Sequence, residues 1–254
     1  MTSERIDLLG CPVDNISMDE TLKRIDEIIH SAIPVQHVVV NVDKILKIRR
    51  DEKLYNIVNH CAIINVDGMP LVWISRLFGK PLKERVAGID LMERLVEHAA
   101  KRTYRIFFLG AEDMIVKKVI DIYTQQYQNL AVAGFHHGYW APAEEQRIVQ
   151  GIKESKADIL FVAMSSPRKE EFINQYLTQM NTPFVMGVGG SFDIVAGKTK
   201  RAPQWMQYAG LEWLFRLFQE PRRMWRRYLV GNVRFVLLVV YEYVRFLRGK
   251  FSHA

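Results

Sequence analysis

Short apolar runs recur along the chain at His37–Val40, Ala62–Val66, Arg105–Leu109, Leu130–Ala133, Asp158–Ala163 and Pro183–Met186. Each has the length of a strand. The segments between them carry helical periodicity: Met18–His30, Met69–Phe78, Asp90–Lys101, Asp113–Gln126, Ala143–Glu154 and Arg168–Met180. Strands alternating with helices of about ten to fifteen residues predict an α/β fold, a mostly parallel sheet with helices on both faces. Near Pro203 the alternation stops, and the chain reads as helix only, with Pro221 between two segments. These patterns predict a catalytic α/β domain over 1–203 and a basic, amphipathic helical appendage over 204–254.

In parallel sheets, ligands bind beyond the carboxyl ends of the strands. The polar residues that follow each run are therefore the candidates for chemistry. Asn41 and Asp43 follow the first run, Asp67-Gly68 the second and Gly110 the third; Gly138-Tyr139, Ser165-Ser166-Pro167 and Gly187–Asp193 come later. The last of these is the most informative. Gly187-Val-Gly-Gly-Ser-Phe-Asp193 leads into Gly197-Lys-Thr-Lys-Arg-Ala-Pro203. Glycines after a strand let backbone N–H groups approach an anion closely, and Lys198, Lys200 and Arg201 can neutralise it. A nucleotide diphosphate suits such a loop, with Gly189, Gly190 and Asp193 at its centre.

Charge sharpens the division at Pro203. The net charge is +7 over 254 residues. Lys198–Ala254 alone carries twelve Lys/Arg against three Glu, or +9, which leaves −2 for the rest. At about 100° per residue, Arg223, Arg227, Arg234, Arg245 and Arg248 fall on one arc, with Trp225, Leu229, Val236, Val239, Tyr243 and Leu247 opposite. No apolar run here reaches the roughly 20 residues that span a bilayer. Arginine on one face and aromatic and aliphatic groups on the other predict a helix lying in a membrane interface; the plainer reading is a helix packed on the body with solvated arginines. So wide an apolar face also favours self-association in solution. The arginines allow a nucleic-acid binder as a competing reading, but that leaves the 187–203 loop unused, and no nucleic-acid partner is expected.

Other positions each admit two readings. Asp67 is a general base or part of a tight turn; Asn41 faces the crevice or caps a helix. Arg85 binds phosphate or sugar, or is a surface residue, and precedes a helix capped by Asp90. Gly110 lacks the further glycines of a dinucleotide fingerprint. Tyr139 stacks on a base or packs internally. Ser166 and Pro167 read as the cap and first residue of a helix. Cys11 and Cys61 match no metal spacing, and no His/Cys cluster or Asp-x-Asp is found, so no metal is expected. The N-terminus has no apolar core of signal-peptide length. With only two distant cysteines, a cytoplasmic protein is expected.

Taken in order, these motifs resemble the WecG/TagA/CpsF glycosyltransferase family. The matching features are Asn41, Asp67-Gly68, Glu84-Arg-Val-Ala-Gly-Ile-Asp90 and Phe108-Leu-Gly110. They continue with Gly138-Tyr139, Ala163-Met-Ser-Ser-Pro167 with Glu170, Gly187–Asp193, Gly197–Pro203 and Gly210-Leu-Glu-Trp-Leu-Phe-Arg216. The resemblance implies a Rossmann-like core with a C-terminal helical appendage. It implies an inverting, metal-independent transfer from a UDP-sugar to a polyprenyl-diphosphate-linked saccharide in cell-surface polysaccharide synthesis, at the inner face of the cell membrane. Asp67 takes the place of the general base, and Arg216 closes over the diphosphate. Asn41, Arg85 and Lys169 line the sugar pocket. Gly110, Gly138, Tyr139, Gly189, Gly190 and Asp193 hold UDP with Lys200 and Arg201, while Arg223, Arg227 and Arg234 meet the membrane. Val39 and Lys169 stand where family members often carry Thr and Gln, and the donor is left among N-acetylmannosamine, its uronic acid and glucose. A non-catalytic nucleotide-sugar or lipid sensor is the alternative.

Overall fold

The computed structural model describes residues 5–251. It opens on a hairpin that the apolar pattern does not announce, β1 (Arg5–Leu8) paired antiparallel with β2 (Cys11–Asp14). Its two-residue turn puts Leu9 and Gly10 at φ 58° and 82°. A leucine in the left-handed region hides the usual Asn-Gly turn signal.

The chain continues through α1 (Met18–Ser31), β3 (Val35–Val40), α2 (Val42–Ile48), α3 (Glu52–Asn59), β4 (Ile63–Val66), α4 (Met69–Leu77) and α5 (Gly88–Arg102). Next come β5 (Arg105–Gly110), α6 (Asp113–Gln126), β6 (Ala131–His136), α7 (Glu145–Ser155), β7 (Ile159–Ala163), α8 (Arg168–Met180), β8 (Phe184–Gly187) and the short α9 (Ser191–Val195). All six predicted strands are present. They form one parallel sheet in the order β4-β3-β8-β7-β5-β6. The hairpin seals its β4 edge: the Asp14 carboxylate accepts from the Ile64 N–H at 2.7 Å, and Arg5 and Arg24 donate to the carbonyl of Ala62.

Both faces of the sheet are covered. Ile106, Phe108, Ile159, Phe161, Phe184 and Met186 point into a core shared with α1, α5 and α6, where Phe192 of α9 also packs. Phe107, Leu109, Leu160, Val162 and Val185 point the other way, under α7 and α8, while Val38, Val40, Ile64 and Val66 pack under α2, α3 and α4. Side chains that alternate between two dry cores explain why the strands read as continuous apolar runs. Phe108, Phe161, Phe184 and Phe192 are fully buried, and truncating any of them to Ala costs about 3–5 kcal/mol.

Three boundaries differ from the sequence reading. Helices α2 and α3 were not separable by periodicity, being only 7 and 8 residues long; they start at the caps Asn41 and Asp51, which accept from the N–H groups of Lys44 and Leu54. Asp90 is not a cap. Its helix begins at Gly88 with Ala87 at the cap position, and the Asp90 carboxylate turns to arginines. Likewise Ser166 does not cap α8, which begins at Arg168 with Pro167 at the cap position.

Beyond Pro203 the described chain is helical: α10 (Gln204–Tyr208), α11 (Glu212–Gln219), α12 (Pro221–Trp225), a π turn over Arg226–Val230, and α13 (Gly231–Phe251). Phe235 of α13 is buried in the apolar cluster of α2–α4, with Leu238 and Val239 beside it. Phe78, at the end of α4, packs edge-on against Tyr243. Arg49 of α2 pairs with Glu242 at 2.9 Å.

Candidate active site

Asp67 stands immediately beyond β4, its N–H bonded to the Val40 carbonyl at 2.8 Å. Around it three distant segments bring charge together. Arg85, mostly buried, lies 3.4 Å from Asp90 and 3.7 Å from Glu212 of α11. Arg201 lies 2.5 Å from the other Asp90 oxygen. Arg216 lies 3.3 Å from Glu212, one helical turn away. The amide oxygen of Gln207 accepts from both Arg85 and Arg201. Arg85, Asp90, Arg201, Pro203, Gln204, Gln207 and Tyr208 line a cavity of about 540 Å³. Burial is the main reason that the Asp67 carboxyl is pushed up to about 6; the charges of Glu212 and Asp90 add to the push, and those of Arg85 and Arg216 oppose it. Such a group is ionised at neutral pH yet more basic than an ordinary carboxylate, the combination a general base requires.

The far end of the sheet is built differently, from backbone. Gly110 ends β5 at φ 117°, and a Cβ there would sit 2.4 Å from the Ala163 carbonyl oxygen at the end of β7. Gly138 closes over it, its N–H bonded to the Ala111 carbonyl at 2.8 Å, and a Cβ would come 3.1 Å from the Gly110 Cα. The connection after β5 runs outward to β6 and that after β7 runs inward to β8, so this is the switch point where open parallel sheets bind ligands. Tyr139 projects beside it, 71% exposed. Gly189 has φ 56°, and the Gly190 position opens to free space. Asp193 lies 3.8 Å from Lys198, which also pairs with Glu112.

Between these ends lies a third cluster. Asn41 is occupied as the cap of α2, its side-chain oxygen accepting from Lys44 N–H at 3.0 Å. Lys44 pairs with the buried Glu170, whose Oε1 is also 3.3 Å from Lys169 Nζ. Val39 is half-buried in β3 and faces Gly88.

The structure brings Arg85 and Arg216 close enough to Asp67 for their charges to act on it. Arg201, expected with the 187–203 loop at the glycine end, lies instead in the cavity lined by Arg85 and Asp90, because the chain turns back at Pro203 beside Asp90. Lys200 is exposed, its backbone tied to the Gln219 side chain. Asp90 is expected from the sequence as a cap and Glu170 only as part of a motif, and Gln207, Glu212 and Lys44 carry no expected role; the i,i+4 spacing of Glu212 and Arg216 is the available signal.

Of the expected arginine arc, the described part is that on α13. The π turn holds more residues per turn than the α-helix and offsets the helix before it from the helix after it. Arg234, Arg245 and Arg248 are exposed on one flank of α13, while the side chains of Arg223 and Arg227 lie outside the described residues. Val239 and Tyr243 face the body, not the free side. The outward stripe is Val233, Val236, Leu237, Val240 and Val244. No helix among the described residues is long and apolar enough to cross a membrane.

Comparison with known proteins follows the same line. Over residues 6–249 the chain matches the model of the glycosyl transferase WecG/TagA/CpsF family. It is similar to the Bacillus subtilis N-acetylglucosaminyldiphosphoundecaprenol N-acetyl-beta-D-mannosaminyltransferase, at 34% identity over 76% of this chain and 74% of that protein. It is also similar to the Staphylococcus aureus protein of the same name, at 29% identity over 94% of this chain and 91% of that one. With Asp67 and its arginines at one end of the sheet and a glycine-built crevice at the other, the chain belongs to the WecG/TagA/CpsF family and is a glycosyltransferase.

Proposed function

We propose that the protein moves a sugar from a UDP-sugar to a polyprenyl-diphosphate-linked saccharide, with inversion and without a metal ion. The observation that carries this is the raised Asp67 carboxyl, which feels the charges of Arg85 and Arg216, while Arg85 itself joins Arg201 in lining the cavity. The relatives are both named for an acceptor of the lipid-diphosphate class.

The donor extends along the strand ends. UDP lies at the Gly110, Gly138 and Tyr139 end and against Gly189, Gly190 and Asp193, with Lys200 at the rim. Its sugar points toward Asn41 and Arg85. Four strand spacings separate Gly110 from Asp67 in the sheet order, about 19 Å, a span that suits an extended nucleotide sugar. Asp67 takes the proton of the acceptor hydroxyl. That oxygen forms the new bond at the anomeric carbon as the bond to UDP breaks and its electron pair leaves with the diphosphate. Arg216 and Arg201 stabilise the departing charge.

The acceptor arrives from a membrane surface. The outward stripe of α13 and the exposed Trp73, Leu77, Trp205, Tyr208 and Phe218 are apolar and aromatic surface, Tyr208 at the cavity itself, and Arg234 and Arg248 add attraction for anionic lipid. The protein therefore works as a peripheral protein on the inner face of the cell membrane.

The test is UDP release from a panel of UDP-sugars in EDTA, with and without a polyprenyl-diphosphate-linked N-acetylglucosamine. Acceptor-dependent release from one donor is the expected result. Absence of any UDP binding overturns the reading.

A further inference from the structure

Three ammonium groups crowd the carboxyl ends of β3, β8 and β7. Lys44 is paired with Glu170, and Lys169 approaches the same carboxylate oxygen. Lys47 sits 3.0 Å from Asp43 and 3.5 Å from the Ser166 carbonyl. Two carboxylates against three ammonium groups leave one positive charge over. The Glu170 side chain is 1% exposed and the Lys44 side chain 6%, whereas Lys169 keeps 13%. Lys47, 38% exposed, is solvated beside Asp43, so in the buried part Lys44 and Lys169 share the single carboxylate of Glu170, and Lys169 is the more exposed of the two. A largely buried cation beyond what its partner needs costs the fold free energy. Burial first, then Lys44, brings the Lys169 ammonium down to about 8 against the pull of Glu170.

The backbone makes room for this side chain. At Gly187, the last residue of β8, an added Cβ would lie 2.8 Å from Lys169 Cε and 3.0 Å from its Cδ. At Gly189 it would lie 3.6 Å from Nζ. The lysine stem starts beyond β7, crosses the end of β8 over Gly187, and delivers its amine beside the open Gly189–Gly190 turn, on the side of β3. An ammonium with one N–H directed at Glu170 has two left for a ligand, and every ligand atom it takes must be an acceptor.

We propose that the Lys169 ammonium is a fixed cation of the donor site, binding an anionic oxygen of the nucleotide sugar at the Gly187–Gly190 turn. Two groups carry that chemistry, the diphosphate and, on an acidic sugar, the carboxylate. The inference rests on the donor being a UDP-sugar. The charged groups facing Lys169 are Lys44 and Lys47 of α2 and Glu170 of its own helix, with Asp43 paired to Lys47. In the free enzyme the binding charge is present below about pH 8 and is lost as the pH rises through it.

Binding of UMP, UDP, UDP-glucose and UDP-glucuronic acid to wild type, K169Q and K169R by calorimetry tests this, with thermal melting as the control for folding. K169Q is expected to lose about tenfold or more. A loss shared by UDP and UDP-glucose but not UMP assigns the diphosphate; a loss confined to UDP-glucuronic acid assigns the carboxylate. In wild type the affected affinity falls on raising the pH through 8, and in K169R, whose guanidinium stays charged, it does not. Should K169Q fail to fold, G187A keeps the charge but displaces the amine, and must weaken the same ligand. Wild-type affinities for all four ligands in K169Q, or in G187A where K169Q does not fold, overturn the inference while leaving the proposed function standing. A wild type that binds none of the four overturns the donor assignment itself, and the inference with it.

Discussion

The two ends of the strand row are made in opposite ways. At the β5–β7 end, Gly110, Gly138 and Ala163 bring main chain against main chain, with 3 Å contacts between strands that are already neighbours. At the β4 end, Asp67 gains its character from burial and from the side chains of residues 85, 90, 212 and 216, a group completed only when the helices after Pro203 fold back. The first half tolerates almost no added atom. The second depends on charges that can be exchanged singly. On the proposed function, a site divided in this way separates holding the nucleotide from performing the transfer, and substitutions in each half are expected to fail differently.

The largest effect is expected from Asp67→Asn. Turnover should fall by about 10³-fold or more, as removing a general base does, while UDP affinity changes by less than threefold. The fold should gain from the same change. The Asp67 carboxyl is raised from 3.8 to about 6, so ionising it costs the native state nothing below pH 4, progressively more from 4 to 6, and a constant amount above. The variant should therefore exceed wild type in stability by on the order of 2 kcal/mol at pH 7, with the difference vanishing near pH 4; equal stability at pH 7 contradicts the burial argument. Gly110→Ala comes next. Its Cβ meets the Ala163 backbone and its φ is 117°, so a loss of about 4 kcal/mol or failure to fold is expected, measurable by urea unfolding. Arg216→Ala should lower kcat about 10²-fold with little change in melting temperature, because its partner Glu212 is partly solvated. Tyr139→Ala should be mildest. Loss of a stacking surface weakens UDP about tenfold and leaves saturated turnover intact. Should Tyr139→Ala cut turnover at saturating donor more than Arg216→Ala does, the division of labour is wrong.

The pH profile sharpens the comparison further. With Asp67 as base, kcat/KM should rise as the pH increases through about 6 in the wild type. The limb should disappear from the residual activity of Asp67→Asn.

How much of this was legible in the sequence follows from the same contrast. Five of the six sheet strands were visible because they are largely buried on both faces, and half-buried β6, at the sheet edge, because it is still an apolar run of strand length. The hairpin was not, since Leu9 adopts a conformation usually given to Asn or Gly. The glycine-built end announced itself, because Gly110, Gly138, Gly189 and Gly190 are local signals at strand ends. The charged end did not: Asp90 read as a helix cap and Arg201 as part of the nucleotide loop, and only the return of the chain at Pro203 brings them within 2.5 Å. The Asn41 cap and the Arg216–Glu212 turn were readable from spacing. The Lys44–Glu170 pair, 126 positions apart, was not.

Helix α2 links two parts of the molecule mechanically. One of its sides, Val42, Leu46 and Arg49, leans on α13 through the Phe235 cluster and the Glu242 ion pair. The opposite side carries Lys44 into the pair with Glu170, and its first turn is pinned by Asn41. At seven residues it is a strut about 10 Å long. A rod that short does not bend. A displacement of α13 is therefore passed through α2 to the Lys44–Glu170 pair, so on the proposed function the helix that meets the membrane and the donor pocket share one rigid member.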